Sequence, residues 1–301
     1  MVNKISLFVS IIIVIAVGTL VFLLFGAGNN LIRFSPSPFN VSVQVGNSPP
    51  VVNLVSFTNQ PAVVGGVQPV LINFTVRDSN LVTDLNDSTA RVEIYNLSLT
   101  GDVRVNSTCD VVVDLDADTR NYNCAVGMWY FDPYGMYTVN VTIRDNAGAR
   151  AENSSRIFQY IATPSAVIYP NALSWDPIAV EDVDKPSNND PLISNNTGNV
   201  DFNTLTLTAF NLPGSITSNK FIYAGNFSVN VADNCLGGDM MANNTGVGLS
   251  GGALLIGNLS SGGGIAQENL YFCIKAINSD TPAETFSSSN TGGIAWNLDF
   301  S

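Results

Sequence analysis

The chain contains no histidine in its 301 residues. That absence removes Ser-His-Asp and Cys-His catalysis, histidine-bearing zinc sites and the commonest general base. Basic residues are scarce as well: 12 Lys and Arg stand against 24 Asp and Glu, a formal net charge of −12. Such an exterior repels phosphate backbones and anionic head groups, so no nucleic-acid partner is expected. The glycine-rich stretches SGGALLIG and SSGGG lack the Lys-Ser/Thr ending of a phosphate loop, and no cofactor is expected. No repeat of fixed period relates the two halves.

What is present begins with residues 5–28, ISLFVSIIIVIAVGTLVFLLFGAG, a run without a charge. As a helix this segment would measure about 36 Å, against a hydrocarbon core of about 30 Å. It is expected to be a transmembrane signal anchor, with residues 1–4 as a short cytoplasmic N-terminus. Lys4 before it and Arg33 after it give a thin positive-inside bias. A cleaved signal peptide competes, with Gly26-Ala27-Gly28 as its small-residue site, but its apolar core would span only about 7 to 15 residues. A pilin-type leader is disfavoured, because no glycine or alanine precedes Ile5.

Residues 29–50 are rich in Pro, Ser and Asn and read as a stalk. Residues 51–161 then carry seven short alternating runs: VVNLVSF, VLINFTVRD, ARVEIYNL, CDVVVDLDAD, YNCAVGMWYF, MYTVNVTIRD and RIFQYIA. Period-two alternation broken by turn clusters is the pattern of one antiparallel sandwich. The stretch DPYGMYTVNVTIRDNAG is the most informative. Tyr137, Val139, Val141 and Ile143 share one parity, and the turn before them combines Asp132, a proline and Gly135. A buried Tyr137 needs a hydroxyl partner, for which backbone just upstream is the obvious candidate. This pattern resembles the tyrosine corner of immunoglobulin-like sandwiches, and closely resembles the D-x-x-G-x-Y-x-V-x-V ending of PKD-type and prokaryotic Ig-like surface domains. It departs from antibody domains in having Val139 where the second cysteine would stand and one extra residue between Asp132 and Tyr137.

Residues 162–301 are expected to form a second β-sandwich with long Gly- and Asn-rich loops. SAVIYP, WDPIAV, VDFNTLTLTAFNL, KFIYAGNFSVNVAD, GALLIGNLS, NLYFCIKAI and GIAWNLDF are its predicted strands, and EDVDKPSNNDP is a polar interruption. The fold class is therefore all-β: two Ig-like sandwiches after a single N-terminal helix.

Three groups invite chemistry. Asp114, Asp116 and Asp118 alternate in the spacing of calcium-loop carboxylates, yet an EF-hand loop is excluded by Thr119 and Ala125 at its glycine and glutamate positions. In a strand they would line the solvent face opposite Val113, Leu115 and Ala117, and that reading is preferred. Asp182 and Asp184 are a carboxylate pair of glycosidase type, but nothing in their polar surroundings sets one pKa against the other, so a solvated loop is expected. Trp129 and Trp175 are expected in the core or between domains. No catalytic, cofactor or metal residue is assigned.

The cysteines Cys109, Cys124, Cys235 and Cys273 permit three pairings. Two in each proposed domain, and a hairpin between the first two, favour Cys109 with Cys124 and Cys235 with Cys273. Asn-x-Ser/Thr acceptor motifs stand at Asn40, Asn73, Asn86, Asn96, Asn106, Asn140, Asn153, Asn195, Asn226, Asn243 and Asn258, roughly twice the number that composition predicts. An Asn- and Thr-rich β-surface is the competing explanation. Parity points Asn73, Asn140 and Asn226 toward water, while Asn96 and Asn258 fit only if their strands end there. The expectation is a non-enzymatic, single-pass cell-surface glycoprotein, archaeal by its acceptor motifs, with a structural or adhesive role. Its partners would be the lipid bilayer and other envelope proteins or glycans. A surface-filament subunit is the alternative and a secreted hydrolase a remote third.

Overall fold

A computed structural model describes residues 38–96, 103–217 and 219–301. The expected membrane helix lies outside these residues, and no helix among the described residues is long and apolar enough to cross a membrane. Residues 38–50 of the expected stalk have no regular secondary structure. The rest is β-structure with a few one-turn 3₁₀ segments.

The seven runs of the first half become β1 (Val51–Ser56), β3 (Val67–Arg77), β4 (Leu85–Tyr95), β6 (Asp110–Asp114), β7 (Thr119–Trp129), β8 (Gly135–Asp145) and β9 (Arg150–Ile161). Two short strands join them, β2 (Gln60–Pro61) and β5 (Arg104–Asn106). One sheet runs β1-β3-β7-β6 and the other β2-β9-β8-β4-β5. All pairs are antiparallel except β2 with β9.

The two sheets share one hydrophobic cluster because alternation puts the apolar set of each strand on the same side. Val70, Ile72, Phe74 and Val76 of β3 meet Tyr122, Cys124, Val126 and Met128 of β7, and across them lie Val92 and Ile94 of β4, Val139, Val141 and Ile143 of β8, and Phe158 and Tyr160 of β9. Each such aliphatic or Phe side chain, fully buried, contributes about 1.5–3 kcal/mol. In β1, Val52 and Val55 are both buried although their parity differs. A register shift between Val52 and Leu54 inserts the extra residue that turns both inward.

The second half holds β10 (Ala166–Tyr169), β11 (Lys185–Pro186), β12 (Leu192–Asn196), β13 (Leu205–Ala209), β14 (Leu212–Pro213), β15 (Phe221–Ile222), β16 (Phe227–Asn230), β17 (Asp239–Met240), β18 (Thr245–Gly248), β19 (Gln267–Ile274) and β20 (Asn297–Phe300). β10-β12-β19-β16-β17 form one sheet, to which β11 adds by pairing with β19, while β18-β13-β20 form another and β14 pairs with β15. A second cluster, including Leu205, Leu207, Phe227, Val229, Leu270 and Phe272, lies between the two larger sheets.

Two predicted strands are absent here. The segment at WDPIAV has no strand, and GALLIGNLS keeps only an isolated bridge between Leu254 and Phe202. At Ile256 the backbone N–H donates to the Asp201 side chain at 2.6 Å, so a carboxylate replaces the strand neighbour. KFIYAGNFSVNVAD is split by a 3₁₀ turn at Ala224–Asn226, where the Asn226 side chain accepts from the Tyr223 N–H at 3.0 Å.

Asn47–Ser301 forms one compact unit. Backbone and side chain bind the halves directly. Gly65 donates to the Thr197 carbonyl at 2.8 Å, the Asn199 side chain accepts from Thr163 N–H at 2.6 Å and donates to the Ile161 carbonyl at 3.1 Å, and Tyr130 Oη accepts from Leu259 N–H at 2.9 Å. Gly198 permits this seam: a Cβ there would lie 2.1 Å from the Thr163 carbonyl oxygen.

Candidate functional site

The corner at Asp132, Gly135 and Tyr137 is a structural device. Gly135 adopts φ +147°, a conformation L side chains rarely take. Tyr137 is 3% exposed, its hydroxyl donating to the Pro133 carbonyl at 2.6 Å. Burial, helped by the Asp132 charge, pushes that hydroxyl well above its ordinary pKa. Asp132 accepts from the Trp129 N–H at 2.7 Å and receives a fork from Arg104, whose Nε lies 3.0 Å from Oδ2 and whose second terminal nitrogen reaches Oδ1. The Arg104 guanidinium also lies over the Phe131 ring at 5.9 Å. Arg104 belongs to β5, the short strand that the sequence pattern did not flag. Tyr160 completes the corner by donating to the Trp129 carbonyl at 3.1 Å.

Asp114, Asp116 and Asp118 do not converge. Asp114 pairs with Arg120 at 2.5 Å, Asp116 accepts from the Asp118 N–H at 3.0 Å, and Asp118 pairs with Arg77 at 2.8 Å. The expectation of one polar and one packed face also fails. β6 is an edge strand with every residue exposed, and Val111, Val112, Val113 and Leu115 face solvent as its aspartates do. Asp182 is engaged by the Ala179 N–H at 3.0 Å and by Lys185 at 3.3 Å, while Asp184 pairs with Lys275. Each carboxylate therefore has its own cation. Trp175 packs edge-on against Phe227 at 5.4 Å, as expected of a core residue. Trp129 is 42% exposed and stacks on Phe131 at 5.7 Å.

The cysteines form two disulfides, Cys109–Cys124 and Cys235–Cys273. The first ties the residue before β6 to β7, and the second ties the loop after β16 to β19. Among the acceptor asparagines, Asn40, Asn243 and Asn258 are exposed. Asn96 directly follows β4, so its strand does end there, whereas Asn258 lies in a loop where the expected strand does not form. Asn140 does not reach water as its parity suggested: only 6% exposed, it donates to Glu152 of β9 at 2.8 Å and to Glu93 of β4 at 3.5 Å. In Asn106, Asn153 and Asn258 the side-chain oxygen accepts from both the N–H and the hydroxyl of the Thr or Ser two residues on, at 2.7–3.0 Å. Local turns of this kind favour Asn-x-Ser/Thr for folding reasons alone.

Sequence reasoning missed one cluster. Asp78 just after β3, Asp84 just before β4 and Asp145 at the end of β8 bring carboxylate oxygens within 4.8 Å of one another. Asp78 is 0% and Asp145 1% exposed. One Asp78 oxygen accepts from the Asn80 N–H at 2.8 Å, and the other has no hydrogen-bond partner. Asp145 accepts from the Asn47 side chain at 2.8 Å and the Ala149 N–H at 2.7 Å. Burial, against the Asn80 N–H and with the charges of Asp84 and Asp145, raises the Asp78 pKa. Burial alone would raise Asp145 too, but Asn47 and the Ala149, Ala147 and Gly148 amides outweigh it and hold that carboxyl below its usual range. The only sequence signal was two aspartates in the turn cluster RDSNLVTD and one in RDNAG, with Asp84 and Asp145 61 positions apart (145 − 84).

Compared with known proteins, the chain matches no family model and no curated protein sequence.

Proposed function

We propose that this chain is a membrane-anchored surface protein of a prokaryotic cell, archaeal by its acceptor motifs. Its β-structure would be displayed outside by the helix expected at residues 5–28, in a non-enzymatic structural or adhesive role. The observation that carries the reading is the pair of disulfides in a chain that opens with a membrane-length uncharged segment, since disulfides persist outside the reducing cytosol. The corner at Tyr137 supports an Ig-like or PKD-type identity for residues 51–161. The acidic surface fits a soluble exterior, and exposed Asn40, Asn243 and Asn258 are the sites best placed to carry glycans. Non-reducing peptide mapping of the chain from its native membrane fraction tests this. Bridged peptides Cys109–Cys124 and Cys235–Cys273 are expected; four alkylatable thiols would place the domains in the cytosol.

A second reading, a filament subunit, is favoured by the edge of β6. Val111, Val112 and Val113 lie exposed along an unpaired edge on which a strand from another copy would add hydrogen bonds and cover apolar surface. Electron microscopy of sheared surface material separates the two, because only this reading predicts filaments containing the chain.

A further inference from the structure

We propose that Asp78, Asp84 and Asp145 bind a calcium ion that staples the β3–β4 connection to the β8–β9 turn. Three carboxylate oxygens within 4.8 Å, two of the residues fully buried, present the all-oxygen donor set of a hard cation. No nitrogen or sulfur ligand stands with them, which disfavours zinc and the other softer metals. Among the described residues no Lys or Arg forms an ion pair with any of the three.

The second observation is the unpartnered oxygen of Asp78. A buried carboxylate oxygen without a donor is rarely left so in a stable fold, and this one belongs to a carboxyl that faces two others. Asp145 accepts from the Asn47 side chain on one oxygen and from the Ala149 N–H on the other, and these bonds fix the orientation of its carboxylate beside Asp78 and Asp84. The surrounding backbone is already held. Asp78 N–H donates to the Asp118 carbonyl at 2.7 Å, Val82 N–H to Ala117 at 3.0 Å, and Asn146 N–H to Asp84 at 2.7 Å. Ca²⁺ suits such a site better than Mg²⁺, because it accepts irregular coordination completed by water, whereas Mg²⁺ demands near-ideal octahedral geometry.

The site also reaches the point where the chain enters the fold. Asn47 is bonded to Asp145, and Ser48 N–H donates to the Asn80 side chain at 2.8 Å, two residues from Asp78. An ion here would fix residues 47 and 48 on the sandwich along with the two loops. This inference does not depend on cellular location.

The test uses the full chain in detergent, with thermal unfolding and calorimetric titration in chelator, in 2 mM Ca²⁺ and in 2 mM Mg²⁺. For a dissociation constant of about 0.1 mM, typical of extracellular modules, 2 mM Ca²⁺ shifts the unfolding equilibrium roughly twentyfold toward the fold. Asp78→Asn should abolish that response while melting higher than wild type in chelator, because it removes a buried like charge. Asp114→Asn, on the nearby hairpin, should leave the response intact. The proposal is overturned if wild type takes up no Ca²⁺ and does not shift, if Asp78→Asn responds as wild type does, if Asp114→Asn alone loses the response, or if Mg²⁺ stabilises as strongly as Ca²⁺.

Discussion

Replacing Asp132 with alanine should destabilise the sandwich by about 3–5 kcal/mol, the range for removing one partner of a buried ion pair. Asp132 is 6% exposed, and its carboxylate holds both the Arg104 fork and the Trp129 N–H. Its loss leaves the Arg104 side chain, only 17% exposed, without that counter-charge. It also frees the turn whose Pro133 carbonyl receives the Tyr137 hydroxyl. Arg104→Met combined with Asp132→Ala should cost less than the sum of the single changes, since no uncompensated charge remains in the double variant. Tyr137→Phe keeps the ring against Tyr160 and removes one hydrogen bond, and should cost about 1–2 kcal/mol. Urea unfolding with disulfides intact, followed by tryptophan fluorescence and near-ultraviolet circular dichroism, measures all four. An Asp132→Ala variant within about 0.5 kcal/mol of wild type, the range of an ordinary surface change, would refute the reasoning.

Gly198→Ala forces a methyl group to 2.1 Å from the Thr163 carbonyl and 2.7 Å from the Ser165 nitrogen, and should cost about 3 kcal/mol or else open the seam, which limited proteolysis near residues 161–165 would show. Removing Cys109–Cys124 should cost about 3 kcal/mol and removing Cys235–Cys273 about 4, following loops of 15 and 38 residues; equal or reversed losses in denaturant titrations would contradict the loop-closure origin. Burial raises the Tyr122, Tyr137 and Tyr160 hydroxyls above their ordinary range, so the folded chain retains protons that the unfolded chain releases above about pH 10. These groups leave stability undiminished below that pH and erode it as pH rises further. Absorbance at 295 nm should therefore show them ionising together with unfolding, and a native-state titration near pH 10 would contradict their burial.

The first half was legible because its alternation is strong and its turns are chemically explicit. Every predicted run became a strand, and the Tyr137 hydroxyl found upstream backbone. Local pattern could not show Arg104, since a three-residue strand carries no periodicity and its partner Asp132 is 28 residues away. Nor could it show that β6 lies at a sheet edge, where parity no longer separates packed from wet. GALLIGNLS misled for a related reason: its apolar content serves the second core through Leu254 alone, while Asp201 takes the neighbouring backbone. The carboxylates of Asp78, Asp84 and Asp145 meet only because β3, β4 and β8 end at the same edge of the sandwich, and that is a property of topology.

The most direct measurement of the proposed surface display is protease treatment of intact cells, with the chain followed by antibodies to its N-terminus and to residues beyond Pro50. Loss of the region after Pro50, with a protected fragment that keeps residues 1–28 and with cytosolic proteins intact, is the expected result. Survival of the whole chain on intact cells, with digestion only after lysis, would contradict it.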